Sequence, residues 1–273
     1  MRLVTYEKAD GSLHAGEWRD GQIYTLSAGQ SVLELIQRSA MPERDGQFKL
    51  MTKVSLRAPY YPPRIFAVGR NYFEHIAEMG RQVPEKPFIF SKFPSSIIGD
   101  HAPIRWRTSI TQQVDWEGEL GVVIGKGGRD IPEASAYEHV FGYTIANDVS
   151  ARDLQDNDGQ WVRAKGMDTF CPLGPVLVTA DEIPDPQALK LQTYVNDQLM
   201  QDGTTADMMF SIPTLISYLS RSFTLLAGDL ILTGTPSGVG KGQKPPRFLG
   251  AGDVVKVSIE GIGTLTNPCH PEA

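Results

Sequence analysis

The sequence predicts a β-rich α/β fold built on a mixed or antiparallel sheet, with a small β-rich unit ahead of the main body. Short apolar runs of strand length recur from residue 64 onward, with few helical stretches between them. Two Asp-Gly pairs, Asp10-Gly11 and Asp20-Gly21, cut the first 60 residues into hairpin-sized pieces. Strands that do not alternate regularly with helices argue against a doubly wound parallel sheet.

In chain order, RLVTYE, SLHAGEWRD and QIYTL are strands joined by those turns, and SVLELIQRSA is a short helix. Pro59 and Pro62-Pro63 then punctuate the chain. They place a boundary near residue 60, between a small N-terminal domain (1–60) and a catalytic domain (61–273). Beyond the boundary RIFAVG, FIFSK, ELGVVIG, FGYTIAND, LGPVLVT, LQTYVND, DLILTG and VVKVSI read as strands. The clearest helix follows Ser211, a candidate N-cap, because Ile212, Leu215, Ile216 and Leu219 share one face.

A chain of 273 residues, 41% hydrophobic and 21% charged, has an ordinary globular composition and can bury one large core. Its net charge of −6 argues against nucleic acid or an anionic membrane as partner. Two cysteines, Cys171 and Cys269, supply no disulfide framework. With no signal-type apolar region near the N-terminus and no run of membrane-spanning length, a cytoplasmic protein is expected.

The stretch VDWEGELGVVIG carries the first chemical signal. On a strand, Asp115, Glu117 and Glu119 would face one side, with successive carboxylates roughly 6.5 Å apart. Their mutual repulsion is then roughly 2.5 kcal/mol at an effective dielectric of about 20. Water at a solvated strand end would screen it, the commoner case on spacing alone; a partly buried pair needs a cation. A second apolar strand ends at Asn147 and Asp148 and runs into Ser150, Arg152, Asp153 and Gln155. Oxygen donors without cysteine or paired histidine suit a hard divalent ion, Mg²⁺ or Mn²⁺.

Other motifs are absent or misspaced. There is no HExxH, no CxxC and no G-x-S-x-G, and in GTPSGVGKG the two glycines stand one residue too far apart for a phosphate loop. In GRNYFEHIAEMG, a helical turn would put His75 and Glu78 on one face, an arrangement suited to a general base but more often incidental. Lys165 is expected in a Gly/Pro-rich loop and says little by itself.

Taken in order, VGRNYFEH, PFIFSKFPSSIIG, DWEGELGVVIGK, GYTIANDVSARDLQ, AKGMDTFCPLGP and LLAGDLILTGTPSGVG resemble the fumarylacetoacetate hydrolase family over roughly 64–240. The resemblance implies a mixed β-sheet roll of that family's C-terminal-domain type, a homodimer, and one Mg²⁺ or Mn²⁺. It implies Glu117, Glu119 and Asp148 as metal ligands, and His75 with Glu78 as a water-activating dyad on a mobile lid. Lys165 would face developing negative charge, Arg152 and Gln155 would contact a small anionic 2-oxo acid, and Thr235 would hold a substrate carboxylate. Asp115 is not among the implied ligands. Gly166-Met167 follows Lys165 where many members carry Ser-Phe, which leaves the substrate open.

The expected reaction is hydrolytic cleavage of a carbon–carbon bond in an acylpyruvate or related 2,4-dioxo acid, by way of an enolate. The alternatives are decarboxylation of an oxaloacetate-type acid and isomerisation or hydration of an unsaturated oxo-diacid. A catalytically silent ligand-binding protein is the reading from another class.

Overall fold

The two Asp-Gly pairs make tight hairpins because their backbones take positive φ, at Gly11 and at both Asp20 and Gly21. They join β1 (Arg2–Glu7), β2 (Leu13–Arg19) and β3 (Gln22–Leu26). The chain continues through α1 (Val32–Arg38), β4 (Arg44–Leu50), β5 (Ser55–Arg57), β6 (Ile65–Gly69), α2 (Phe73–Glu78) and β7 (Phe88–Lys92). The central part holds β8 (Ile97–Ile98), β9 (Ile104–Arg107), β10 (Val114–Asp115), β11 (Gly118–Ile124), β12 (Val140–Asn147), β13 (Ser150–Ala151), α3 (Arg152–Asn157) and α4 (Val162–Lys165). Last come β14 (Cys171–Thr179), β15 (Lys190–Val195), β16 (Gln198–Thr204), α5 (Ile212–Ser222), β17 (Leu230–Leu232), β18 (Val254–Ile259) and β19 (Gly263–Glu272). This is a computed structural model, and it describes residues 1–26, 30–38, 44–50 and 54–273; the last two residues of the expected first helix lie outside them.

The main sheet runs β4-β3-β2-β1-β14-β12-β11-β17-β6-β7, with β5 on β1 and β8 on β14. It is mixed, as expected: β17 and β6 are parallel, whereas β11 pairs antiparallel with both β12 and β17. The N-terminal strands join this sheet directly, because β1 pairs with β14. A second sheet, β16-β15-β18-β19-β9, packs against the first. Three of its strands, β9, β16 and β19, are missing from the sequence reading. Residues 263–272 carry two prolines and alternate only weakly, so their strand character comes from pairing with β18 and β9.

Both faces of β11 are buried, so it reads as a continuous apolar run after its glutamates. Gly118 is where the two sheets come closest. A Cβ there would lie 2.4 Å from Thr193 Oγ1 on β15 and 2.9 Å from a methyl of Val257 on β18. That contact explains the glycine between the two glutamates. At α5, Ser211 Oγ accepts the Thr214 N–H and Ile212, Leu215, Ile216 and Leu219 are buried, as the sequence predicts. No helix among the described residues is long and apolar enough to cross a membrane.

Candidate active site

Strand register assembles the acidic cluster. Gly118 at the start of β11 stands opposite Asn147 at the end of β12, so Glu117 and Glu119 meet Asp148, which follows Asn147. Oxygens of the three carboxylates lie within 4.8 Å of one another, and all three residues are buried. On the other flank, β17 pairs with β11 and delivers the Gly234 N–H to Glu119 Oε2 at 2.8 Å. Because β6 runs parallel to β17, the segment after β6, which carries α2, leaves from the same end of the sheet.

The expectation that residues 115, 117 and 119 form one carboxylate column fails at its first member. The strand breaks at Trp116 and Glu117, and Asp115 belongs to β10. Its carboxylate accepts Arg152 Nε at 2.7 Å and the backbone N–H groups of Trp116, Gly240 and Lys241. A carboxylate so fully satisfied is an anchor for Arg152 rather than a free ligand.

His75, Glu117, Glu119, Arg152, Gln155, Lys165 and Thr235 line one cavity, and Asp148 and Glu78 touch these residues from outside its lining. The nine residues singled out from the sequence are therefore brought together. Their contacts differ in detail from what the sequence suggests. Lys165 ends the short helix α4 instead of lying in a loop, and its Nζ donates to Glu117 Oε2, Asp148 Oδ2 and Ser150 Oγ at 2.7–2.8 Å. An ammonium has three N–H bonds, so all are engaged. Arg152 spends Nε on Asp115 and Nη1 on Glu117 Oε1 and Gln155 Oε1, leaving Nη2 buried and without a partner among the described residues. A two-pronged grip on a substrate carboxylate is thus closed to it; one nitrogen remains. Thr235 Oγ1 donates to Gly118 O and accepts from Gln201 Nε2, which commits its proton to the backbone.

His75 Nδ1 lies 3.4 Å from Glu78 Oε2 on the same face of α2. Glu78 is fixed in turn by the Gly238 N–H, at 3.0 and 3.2 Å from its two oxygens. Sequence reasoning missed Lys92, which is fully buried and donates to Asp148 Oδ1 and the Lys165 carbonyl. A lysine ending an apolar strand was the available signal, but its partner is 56 residues away.

The electrostatics follow from this layout. With every carboxyl ionised and His75 neutral, the buried Asp115, Glu117, Glu119 and Asp148 exceed the buried cations beside them, Lys92, Arg152 and Lys165, by one negative charge. Burial pushes the Glu117 carboxyl up, but Lys165, Arg152 and His75 outweigh it and hold the group well below the carboxylate range. Glu119 is pushed well above that range by burial and by Asp148 and Glu117. Burial lowers Lys165, yet Asp148 and Glu117 raise it more, so it stays charged.

The cluster fits a divalent cation. It offers buried oxygen donors at close range, an unbalanced negative charge, and one carboxyl that cannot ionise comfortably beside its neighbours. The oxygen-only donor set favours a hard ion over zinc.

Comparison with known proteins gives the same direction. The model of the fumarylacetoacetate (FAA) hydrolase C-terminal domain matches residues 64–270. The chain is 49% identical over 221 residues to oxaloacetate tautomerase YisK of Bacillus subtilis, covering 80% of this chain and 73% of that protein. It is 47% identical over 289 residues to the mitochondrial oxaloacetate tautomerase fahd2 of Xenopus laevis, covering 98% and 90%. Among solved structures it superposes on maleylpyruvate hydrolase from Sphingobium sp. SYK-6, in complex with manganese(II) and pyruvate. That match has a TM-score of 0.82 and 28% identity, and covers all of both chains.

Proposed function

The chain belongs to the fumarylacetoacetate hydrolase family, and we propose that it is an enzyme of proton transfer, catalysing keto–enol tautomerisation of an oxaloacetate-type 2-oxo acid. The observation that carries the reading is one cavity lined by the imidazole of His75 and by two of the three clustered carboxylates. Hydrolysis, which leads in the sequence reading, takes second place. Two relatives named for oxaloacetate tautomerisation match most of this chain, and proton transfer asks less of the site than water attack does.

A divalent ion held by Glu117, Glu119 and Asp148 would supply Lewis-acid polarisation of the substrate's 2-keto group. The chain's own residues supply the rest. His75 takes the proton from carbon 3, the C–H electrons form the C2–C3 double bond, and the C2 oxygen takes up a proton. Glu78 orients the imidazole from Nδ1, and the Gly238 N–H keeps Glu78 in place. Arg152 lines the cavity and its Nη2 is a buried donor without a partner among the described residues, available to charge developing on the substrate. Gln155 Oε1 is occupied by Arg152, which turns its amide nitrogen away from the guanidinium as a second donor.

Hydrolytic carbon–carbon cleavage is the second reading, supported by the His75–Glu78 pair, which is also the arrangement that activates water. The experiment follows ultraviolet absorbance of enol-oxaloacetate with Mg²⁺ or Mn²⁺, and in parallel pyruvate release from a panel of acylpyruvates. Acceleration of enol decay that is lost in His75→Ala, with Mn²⁺ affinity unchanged by titration, is the expected result. Pyruvate release without any effect on enol decay would overturn the assignment in favour of hydrolysis.

A further inference from the structure

Arg70 lines the same cavity and has no anionic partner and no hydrogen bond among the described residues. The other arginines of the described residues that lack an ion pair or hydrogen bond, Arg38, Arg107 and Arg221, are exposed to water; Arg70 is half-buried. Its guanidinium is held by stacking, 5.2 Å from the ring centre of Phe88 and 5.7 Å from that of Trp161. Such stacking fixes the plane of an arginine and leaves its N–H edge free.

The backbone holds this residue firmly in an uncommon state. Arg70 has φ of 57°, the left-handed region that side-chain-bearing residues rarely enter. Its neighbour Asn71 is fully buried and locks the turn, donating to Phe210 O and Thr233 O and accepting the Phe210 N–H. The preceding residue is glycine because the Trp161 ring packs on it, and a Cβ there would lie 2.6 Å from that ring. Strained backbone held by its surroundings beside a functional cavity points to a role for the side chain it aims.

We propose that Arg70 receives the distal carboxylate of a short 2-oxo dicarboxylate and so sets the enzyme's preference for diacids over monoacids. The inference rests on the enolising 2-oxo acid chemistry proposed above and names the substrate class. Arg70 and Lys165 stand on the same indole: Lys165 Nζ is 5.8 Å from the Trp161 ring centre, and the arginine lies 5.7 Å from it. Arg70, Glu117, Glu119 and Lys165 line the one cavity, so one small dianion bound there can reach both the acidic cluster and Arg70. The charges also close. With Glu119 ionised on the ion and His75 neutral, the buried site cluster of Asp115, Glu117, Glu119, Asp148, Lys92, Arg152 and Lys165 carries one excess negative charge. A divalent ion turns that to one positive, and a dianion returns it to one negative, which Arg70 cancels. A monoanionic substrate needs no such partner. Arg81, the other arginine of the rim, is already bound to Asp156 at 3.0 Å and is not available in the same way. Burial and the nearby Arg81 lower the Arg70 pKa, the mark of a cation in need of an anion.

The test compares wild type, Arg70→Met and Arg70→Lys, each with Mn²⁺, on oxaloacetate and on its distal monoamide, which lacks only the second charge. Titration measures binding of both ligands independently of turnover, and Mn²⁺ affinity reports that the acidic cluster is intact. Arg70→Met is expected to raise KM for oxaloacetate 10- to 100-fold with kcat changed less, and to erase the wild-type preference for the diacid. Arg70→Lys should recover part of that preference, as a point charge replacing a fork. Wild-type turnover of oxaloacetate with the same diacid preference in Arg70→Met would overturn the Arg70 assignment and leave the proposed reaction standing. Tight diacid binding that depends on Arg70, without any turnover, would support the assignment and overturn the reaction.

Discussion

Replacing Lys165 with methionine tests the site most directly, because the lysine is bonded to the oxygens a cation would use. Its Nζ donates at 2.8 Å to Glu117 and at 2.7 Å to Asp148, and both pairs are shielded from water. Removing one member of a buried ion pair costs about 3–5 kcal/mol, since the partner is left charged and unpaired. For a chain of this size that corresponds to a fall in Tm on the order of 5–9 °C. The loss should be full in chelator and shrink in excess Mn²⁺, because a divalent ion replaces the missing positive charge. Mn²⁺ affinity should rise, as the ion no longer competes with an ammonium for Glu117 and Asp148. Activity should fall on the order of 100-fold or more, in kcat rather than KM, if the lysine serves charge that appears only during reaction. Differential scanning calorimetry with and without Mn²⁺, Mn²⁺ titration and steady-state kinetics together read all three effects. A Lys165→Met protein that melts like wild type in chelator and keeps its kcat would refute the reasoning.

Two further outcomes follow from the same geometry. Glu119 keeps its proton in the metal-free fold well above the 4.5 at which an unfolded glutamate loses it, driven up by burial and by Asp148 and Glu117. Its contribution to stability is therefore fully present below about pH 4.5 and is lost as pH rises toward its folded value; Tm in chelator should carry that slope, which excess Mn²⁺ or Glu119→Gln should flatten. Gly242 abuts Glu78: a Cβ would lie 2.2 Å from the carboxyl carbon, so Gly242→Ala should displace Glu78 from the Gly238 N–H. Turnover should then drop at least 10-fold with Mn²⁺ affinity held; an equal loss of Mn²⁺ binding would mean the change spreads to the acidic cluster.

Much of the fold could be read from local pattern. The Asp-Gly hairpins, the apolar strand after the glutamates and the Ser211 helix depend on turn chemistry and periodicity within a few residues. Of the strands that escaped, β9 pairs with β19 across more than 160 residues and β19 contains two prolines, whereas β16 forms a local hairpin with β15. No local window contains the pairing of β9 with β19.

The same division runs through the site. The family resemblance carried by ordered motifs implied His75, Glu78, Glu117, Glu119, Asp148, Arg152, Gln155, Lys165 and Thr235, and the cavity and its immediate contacts contain them all. Only the tertiary structure decided what each side chain bonds to. It removed Asp115 from the carboxylate column, left Arg152 one free nitrogen, engaged every donor of Lys165, and added Lys92 and Arg70. The physical reason is range. Alternation and capping act between near neighbours along the chain, whereas a buried charge finds its counter-charge through space, across a register fixed by the whole sheet.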